Sequence, residues 1–219
     1  SPQIPVLQAL KLGAHGRCVY ATIKRGASSD GYFAVPLEGS SFFIPPSLFF
    51  EWHLHEGQEL DEEQFLHYQA LQRQWACYEK GLSLLAIREH TRQELRFKLI
   101  QKGFSSEQAS SAIDRLVAEG ALDERRYARA FIDSRLRKAP EGRSLLARRL
   151  QDKGVPRQIV DEILSEIFSD ETFEAELILR AAAKLSRRYA DADRLTIELR
   201  KKGFSPTAIR RALSNEVCD

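Results

Sequence analysis

One pattern constrains this chain more than any other feature: L-x3-L-x2-K-G, then an apolar residue, then Ser or Pro, filled at every position three times. The copies are Leu95-Arg-Phe-Lys-Leu99-Ile-Gln-Lys102-Gly103-Phe104-Ser105, Leu146-Ala-Arg-Arg-Leu150-Gln-Asp-Lys153-Gly154-Val155-Pro156 and Leu195-Thr-Ile-Glu-Leu199-Arg-Lys-Lys202-Gly203-Phe204-Ser205. Their glycines are 51 and 49 residues apart by subtraction, a period that marks a tandem array of small units. Each position has a physical reason. The two Leu lie one helical turn apart on the core side. Lys sits in the last turn, at the negative end of the helix dipole. Gly supplies the left-handed residue that ends the helix, and the apolar residue after it closes a Schellman-type contact. Ser105 and Ser205 cap the following helices, and Pro156 takes a tolerated early helical position.

The helices after the glycines bury Ala109/Ala112/Ile113, Val160/Ile163/Leu164 and Ile209/Ala212/Leu213. Each pair is preceded by a further helix. The first starts at Asp61, with Gln64 completing a capping box, and carries the stripe Phe65, Tyr68, Leu71, Trp75, Tyr78, Leu82, Leu85. A second box, Thr91-x-x-Glu94, separates it from the first repeated pair. The second leading helix starts at Leu122-Asp-Glu124, buries Tyr127, Ala128, Phe131 and Ile132, and ends at Ala139-Pro-Glu-Gly142. The third starts at Asp170-Glu171 and runs through Phe173 and Leu177 toward Tyr189.

Before residue 60 the composition changes. Cys18–Ile23, Tyr32–Val35 and Ser41–Ile44 are short β-favouring runs. Ser28-Ser-Asp-Gly31 reads as a turn with Gly31 available for a left-handed conformation, and Pro45-Pro46 stops the last strand. The expected fold is mainly α: three tandem three-helix repeats forming an elongated curved body, preceded by a small N-terminal antiparallel β segment. The expected divisions are a β-rich head at 1–60 and three-helix repeats at 61–120, 121–168 and 169–219.

Catalysis finds little support. Cys18, Cys77 and Cys218 are far apart and form no metal or redox motif, and sparse thiols suit a reducing cytosol. His53 and His55 are the nearest approach to a ligand pair, and His90 reads as a packing or capping residue. There is no phosphate-cradling Gly loop or nucleophile elbow, so no cofactor, metal or catalytic residue is expected. No apolar run is long enough for a membrane span.

The net charge is only +2, from 33 basic and 31 acidic residues, so any electrostatic argument rests on distribution. From Arg125 to Arg157 eleven basic residues face three acids, a net +8; from Asp161 to Leu179 seven acids and no base give −7; from Arg180 to Arg211 ten bases against three acids give +7. Such blocks suit a phosphate backbone or an acidic protein groove, but they also suit an ordinary solvated helix face. Lys102, Lys153 and Lys202 equally suit a purely helix-ending role, and Asp133–Arg137 suits an i,i+4 pair.

These residues resemble the RecX regulatory protein family from about Gly57 onward. The resemblance rests on Gly57-Gln-Glu-Leu-Asp61, Arg88-Glu-His-Thr-Arg-Gln-Glu-Leu95, Lys98-Leu99-x-x-Lys102-Gly103, Leu122-Asp-Glu-Arg-Arg-Tyr-Ala-Arg-Ala-Phe131, the 142–154 segment and Glu198 to Gly203. Two positions depart from the family pattern: Arg149 stands where Glu usually precedes the Leu, and Ser144 where a basic residue is expected. The resemblance implies a regulator of RecA recombinase that binds the RecA–DNA filament, lies along its helical groove and inhibits strand exchange and ATP hydrolysis, without enzymatic activity of its own; a cytoplasmic monomer is expected besides. Single- or double-stranded DNA is a further expected partner, and a membrane is not. The candidate contact residues are the exposed basic positions Arg126, Arg129, Arg137, Arg148, Arg149, Lys153, Arg187, Arg188, Lys201 and Lys202. Two other readings stay open: a sequence-independent DNA-binding protein, and a helical-repeat adaptor without a RecA role. Against a base-reading protein, the helices after the glycines offer only Glu107/Gln108, Arg157/Gln158 and Thr207/Arg210, an inconsistent set.

Overall fold

The computed structural model describes residues 18–27, 30–189 and 191–215. The chain divides into two compact units, Ser1–Glu79 and Lys80–Asp219. In the first, β1 (Ala21–Arg25), β2 (Tyr32–Pro36), β3 (Phe42–Ile44) and β4 (Glu59–Leu60) form one antiparallel sheet in the order β3-β2-β1-β4. Helix α1 (Pro46–Glu51) follows β3, and α2 (Glu62–Leu85) follows β4. Alternation along the strands puts Ala21, Ile23, Ala34 and Ile44 on the inner face, where they pack with Leu48, Phe49, Leu54, Leu60 and Phe65. Tyr32 stacks on Phe49 with ring centroids 3.5 Å apart, and Trp52 packs on Tyr68.

Several sequence expectations need correction here. Pro45-Pro46 does stop β3, but Pro46 also opens α1 at a helix's first position, where its missing N–H costs nothing. The two-residue β4 was not anticipated, because so short a strand carries no alternation; its pairing with β1, Ala21 opposite Leu60, makes it a strand. Strand β1 begins at Ala21 rather than Cys18. Gly31 is needed for space and not for a left-handed backbone: a side chain there would collide with the Phe43 ring. Residues 28 and 29 of the anticipated turn lie outside the described residues, as does Cys218.

The capping box at α2 is present: the Gln64 N–H donates to Asp61 Oδ1 at 2.8 Å, and the Asp61 N–H to Gln64 Oε1 at 3.1 Å. The anticipated stripe is only partly inward. Phe65 is buried, but Leu71 is 37% exposed, and Cys77 and Gly81 are buried instead. Burial raises the Cys77 thiol to about 11, which keeps it protonated and unreactive. At Gly81 an added Cβ would lie 2.6 Å from Leu116 Cδ1, so glycine there admits the leucine.

The second unit contains the rest of α2 and α3 (Arg92–Gln101), α4 (Ser106–Ala118), α5 (Glu124–Lys138), α6 (Arg143–Asp152), α7 (Arg157–Ile167), α8 (Glu171–Ser186), α9 (Ala192–Lys201) and α10 (Pro206–Asn215). The start signals act as chemistry requires. Asp123 accepts the N–H groups of Arg125 and Arg126, Asp170 that of Thr172, Ser105 exchanges both bonds of a capping box with Gln108, and Ser205 accepts from Ala208. Pro156 sits just before α7, in the cap position. Helices α5, α6 and α7 close on one core: Tyr127, Ala128, Ile132, Leu146, Leu150, Val155, Val160, Ile163 and Leu164. Helices α8, α9 and α10 close on another: Leu177, Ile178, Ala181, Leu199, Phe204, Ala208, Ile209 and Ala212 among them.

Candidate functional site

The repeated Lys-Gly turns are where the sequence motif becomes tertiary structure. Gly103, Gly154 and Gly203 have φ of +87°, +82° and +92°. Each turn carries both bonds of a Schellman motif; at the second, the Val155 N–H reaches the Leu150 carbonyl at 3.1 Å and the Gly154 N–H the Gln151 carbonyl at 2.8 Å. The second and third turns then dock on the start of an earlier helix. Lys153, at the C-terminal end of α6, meets the start of α3, where the buried Thr91 hydroxyl donates to its carbonyl at 2.9 Å. Lys202 and Gly203, at the end of α9, meet the start of α6. There the Gly142 N–H donates to the Lys202 carbonyl at 2.8 Å, and the Ser144 hydroxyl and N–H donate to the Gly203 carbonyl at 2.9 and 3.2 Å. Carbonyls orphaned at one helix end thus satisfy donors orphaned at another, with opposite dipole ends together. At the second joint the approach leaves no room for side chains, whereas at the first the nearest atom is the tip of the exposed Gln93 side chain. A Cβ on Gly154 would overlap Gln93 Oε1, one on Gly142 would overlap the Gly203 backbone, and one on Gly203 would lie 2.6 Å from Leu145 Cβ.

The two joints differ in charge. At the first, Glu94 gathers Arg88 Nη1 at 3.2 Å, Lys153 Nζ at 3.3 Å and His90 Nδ1 at 3.4 Å. Thr91 accepts the Glu94 N–H as an N-cap, but the Glu94 side chain turns to these three groups and does not complete the anticipated box. Partial burial alone would raise the Glu94 carboxyl; the Lys153 hydrogen bond and the Arg88 charge outweigh it and hold it below the ordinary range. His90 is pushed down by burial, then by the charges of Arg88 and Lys98, and Nδ1 has no well-directed hydrogen bond. Tyr127, whose hydroxyl faces Glu94, is raised to about 12 by burial and by that carboxylate.

At the second joint, Leu145 stands in the repeat position of Glu94 and Glu141 in that of His90. Glu141, 4% exposed, is claimed by Arg135 and by Arg149, whose Nε lies 3.1 Å away as a charge contact without hydrogen-bond geometry. No acidic side chain answers Lys202 among the described residues. The two departures from the family pattern, Ser144 and Arg149, are therefore occupied in holding this joint.

The basic block 125–157 is largely paired. Glu162 and Glu166 on α7 reach back to Arg125, and Glu166 also to Arg129; Glu89 takes Arg126, and Asp161 takes Arg157. The acidic stretch thus partly neutralises the block before it, which separation in sequence concealed. Of the candidate residues, Arg126, Arg129, Arg149, Lys153 and Lys201 have acidic partners, Lys201 through Glu198 at 2.7 Å. Arg137, Arg148, Arg187, Arg188 and Lys202 have none within 4 Å among the described residues, and the anticipated Asp133–Arg137 pair is not formed. Lys138 is likewise unpaired, and Arg143 donates only to Ser165 Oγ. Two of the residues weighed for base reading are engaged on their own helices: Gln108 closes the α4 box and Gln158 donates to Glu162. Among the described residues no three His, Cys, Asp or Glu side chains are grouped to hold a metal, and no helix is long and apolar enough to cross a membrane.

Helices clipped end to start through a recurring turn, with charge displayed on their flanks, define a helical-repeat protein. The models of the first and second three-helix domains of RecX match residues 77–116 and 123–164. The chain is 37% identical over 139 residues to the regulatory protein RecX of Pelodictyon phaeoclathratiforme, covering 61% of this chain and 84% of that protein. It is 38% identical over 143 residues to that of Chlorobaculum tepidum, covering 63% and 86%. It belongs to the RecX family of regulatory proteins. A RecX crystal structure shares its fold with a TM-score of 0.75 at 22% identity, over 90% of this chain and 99% of the other; RecX from Lactobacillus salivarius does so with 0.59 at 22%, over 66% and 97%.

Proposed function

We propose that this protein binds the RecA–DNA filament in the cytoplasm, touches successive RecA subunits through its repeats, and inhibits recombination and ATP hydrolysis by RecA. It acts by occupancy and catalyses nothing. The observation that carries this reading is the recurrence of one joint at a period of about 50 residues (Thr91 on Lys153, then Gly142 and Ser144 on Lys202 and Gly203). Similar modules joined through the same kind of turn suit a partner that is itself a polymer of identical subunits, and once one module docks the next is already concentrated at its site. Family membership supports the choice of RecA as that polymer. The modules we assign are 61–120, 121–168 and 169–219, with a head at 1–60.

The test is RecA-driven strand exchange between a single-stranded circle and a homologous linear duplex. Added protein is expected to suppress joint-molecule formation in a dose-dependent way. Reversing Arg187 and Arg188 to Glu should weaken suppression partly, and adding Arg137→Glu and Arg148→Glu should weaken it much further, with thermal unfolding close to the parent. Exposed substitutions of this kind change stability by less than about 0.5 kcal/mol. Undiminished strand exchange at saturating parent protein refutes the assignment.

A further inference from the structure

The two joints are built alike, yet one is neutralised and the other is not. At the first, Glu94 absorbs Lys153 and Arg88. At the second, the register places Leu145 where that carboxylate would be, and Lys202 keeps its charge. The one buried acid beside it, Glu141, is already claimed by Arg135 and Arg149. Several unpaired cations lie on the helix ends that form this joint. Arg148 lies one turn along α6 from Ser144, on the face that meets the Gly203 carbonyl. Arg137 and Lys138 end α5 just before Gly142, and Arg200 sits in the last turn of α9 just before Lys202. In the repeat register Arg148 replaces Phe97, which is 62% exposed. At that one position the first joint therefore shows an apolar side chain and the second a cation.

We infer that the second joint, through Arg148 and Lys202 with Arg137 and Lys138 beside them, is where this protein contacts the phosphodiester backbone of DNA. The inference rests on the reading of the protein as a DNA–filament binder but is narrower, since it assigns the phosphate contacts to one joint. Paired cations such as Arg129 or Lys153 must break an ion pair before they meet a phosphate. Arg148 and Lys202 have no such pair to break and release counterions directly on binding. No base-reading side chain joins them, so the contact is indifferent to sequence.

The experiment is fluorescence anisotropy of the full chain with a labelled oligothymidylate, titrated at several salt concentrations. It compares the parent, R148E/K202E, and K98E/K102E, which makes the same charge change on α3 and places one of its two substitutions in the turn equivalent to Lys202. R148E/K202E is expected to bind roughly tenfold more weakly at low salt, with a log–log salt slope shallower by about 1.4, the value for two lost contacts to single strands. K98E/K102E is expected to stay near the parent. Equal slopes for the parent and R148E/K202E, or an equal loss in K98E/K102E, overturns the proposal. So does an R148E/K202E variant that keeps the parent's DNA binding but no longer inhibits RecA, because its cations then face acidic protein. Oligothymidylate binding needs no RecA, so a failure here is distinguishable from a failure of the RecA assignment.

Discussion

Gly203 and Gly120 both hold positive φ, +92° and +71°, but they differ in surroundings. Nothing lies near a Cβ at Gly120, whereas at Gly203 it would meet the Leu145 backbone and side chain. Gly120→Ala should cost only the left-handed penalty, about 1 kcal/mol. Gly203→Ala adds overpacking at the joint and should cost roughly 3 kcal/mol or more. Equal losses by urea denaturation would mean that the joint is not tightly packed. The need for glycine was legible at Gly203, because a Lys-Gly-apolar run ends helices; the crowding was not, because its cause lies about 60 residues away at Gly142 and Leu145. His90 makes a second prediction at this scale. Its folded pKa lies below the ordinary value, so below about pH 6.5 the unfolded chain takes up a proton that the folded chain refuses. Its contribution to stability is present above that pH and is lost as the pH falls, by at most one proton, about 1.4 kcal/mol per pH unit. His90→Gln should flatten the decline between pH 7 and 5; an unchanged slope would remove His90 as its source.

Among the elements, helix starts were the most legible feature, because a cap is a local exchange of hydrogen bonds: Asp61 with Gln64, Ser105 with Gln108 and Asp123 with Arg125 all behave as their spacing implies. Thr91 shows where local reasoning stops. Its hydroxyl caps α3 by accepting from Glu94 and also donates to the Lys153 carbonyl of another helix. Thr91→Val removes both bonds and should cost about 2 kcal/mol; Ser205→Ala removes a single cap and should cost about 1 kcal/mol. Thermal unfolding of the pair checks this, and a smaller loss at Thr91 would deny the joint a role in stability. The α2 stripe was legible in period but not in detail. Periodicity marks a face, but Leu71 stays 37% exposed on it, while Gly81 is buried because Leu116 fills the space above it. Helix α1 and strand β4 left too short a trace to be read, and only pairing and packing define them.

For the whole molecule, charge was the property read least well from the sequence. Counted along the chain, two basic blocks flank an acidic one. Folded, Glu162 and Glu166 return to Arg125 and Arg129, and half of the candidate contact residues prove to be paired. What survives is a smaller set of free cations, including Arg137, Arg148, Arg187, Arg188 and Lys202, which no linear count could separate from the rest. The repeat, by contrast, was visible at once, since the same turn ends a helix in all three units and in two of them docks on an earlier helix. In the function proposed above, this repeat docks on a RecA filament and slows it. The most direct measurement is the steady-state ATPase rate of RecA on single-stranded DNA, titrated with this protein at physiological salt. A saturable fall in rate at substoichiometric ratios to RecA is expected if, as proposed, each molecule touches more than one subunit. A rate unchanged at a molar excess of the protein, under conditions where the filament is fully assembled, would contradict it.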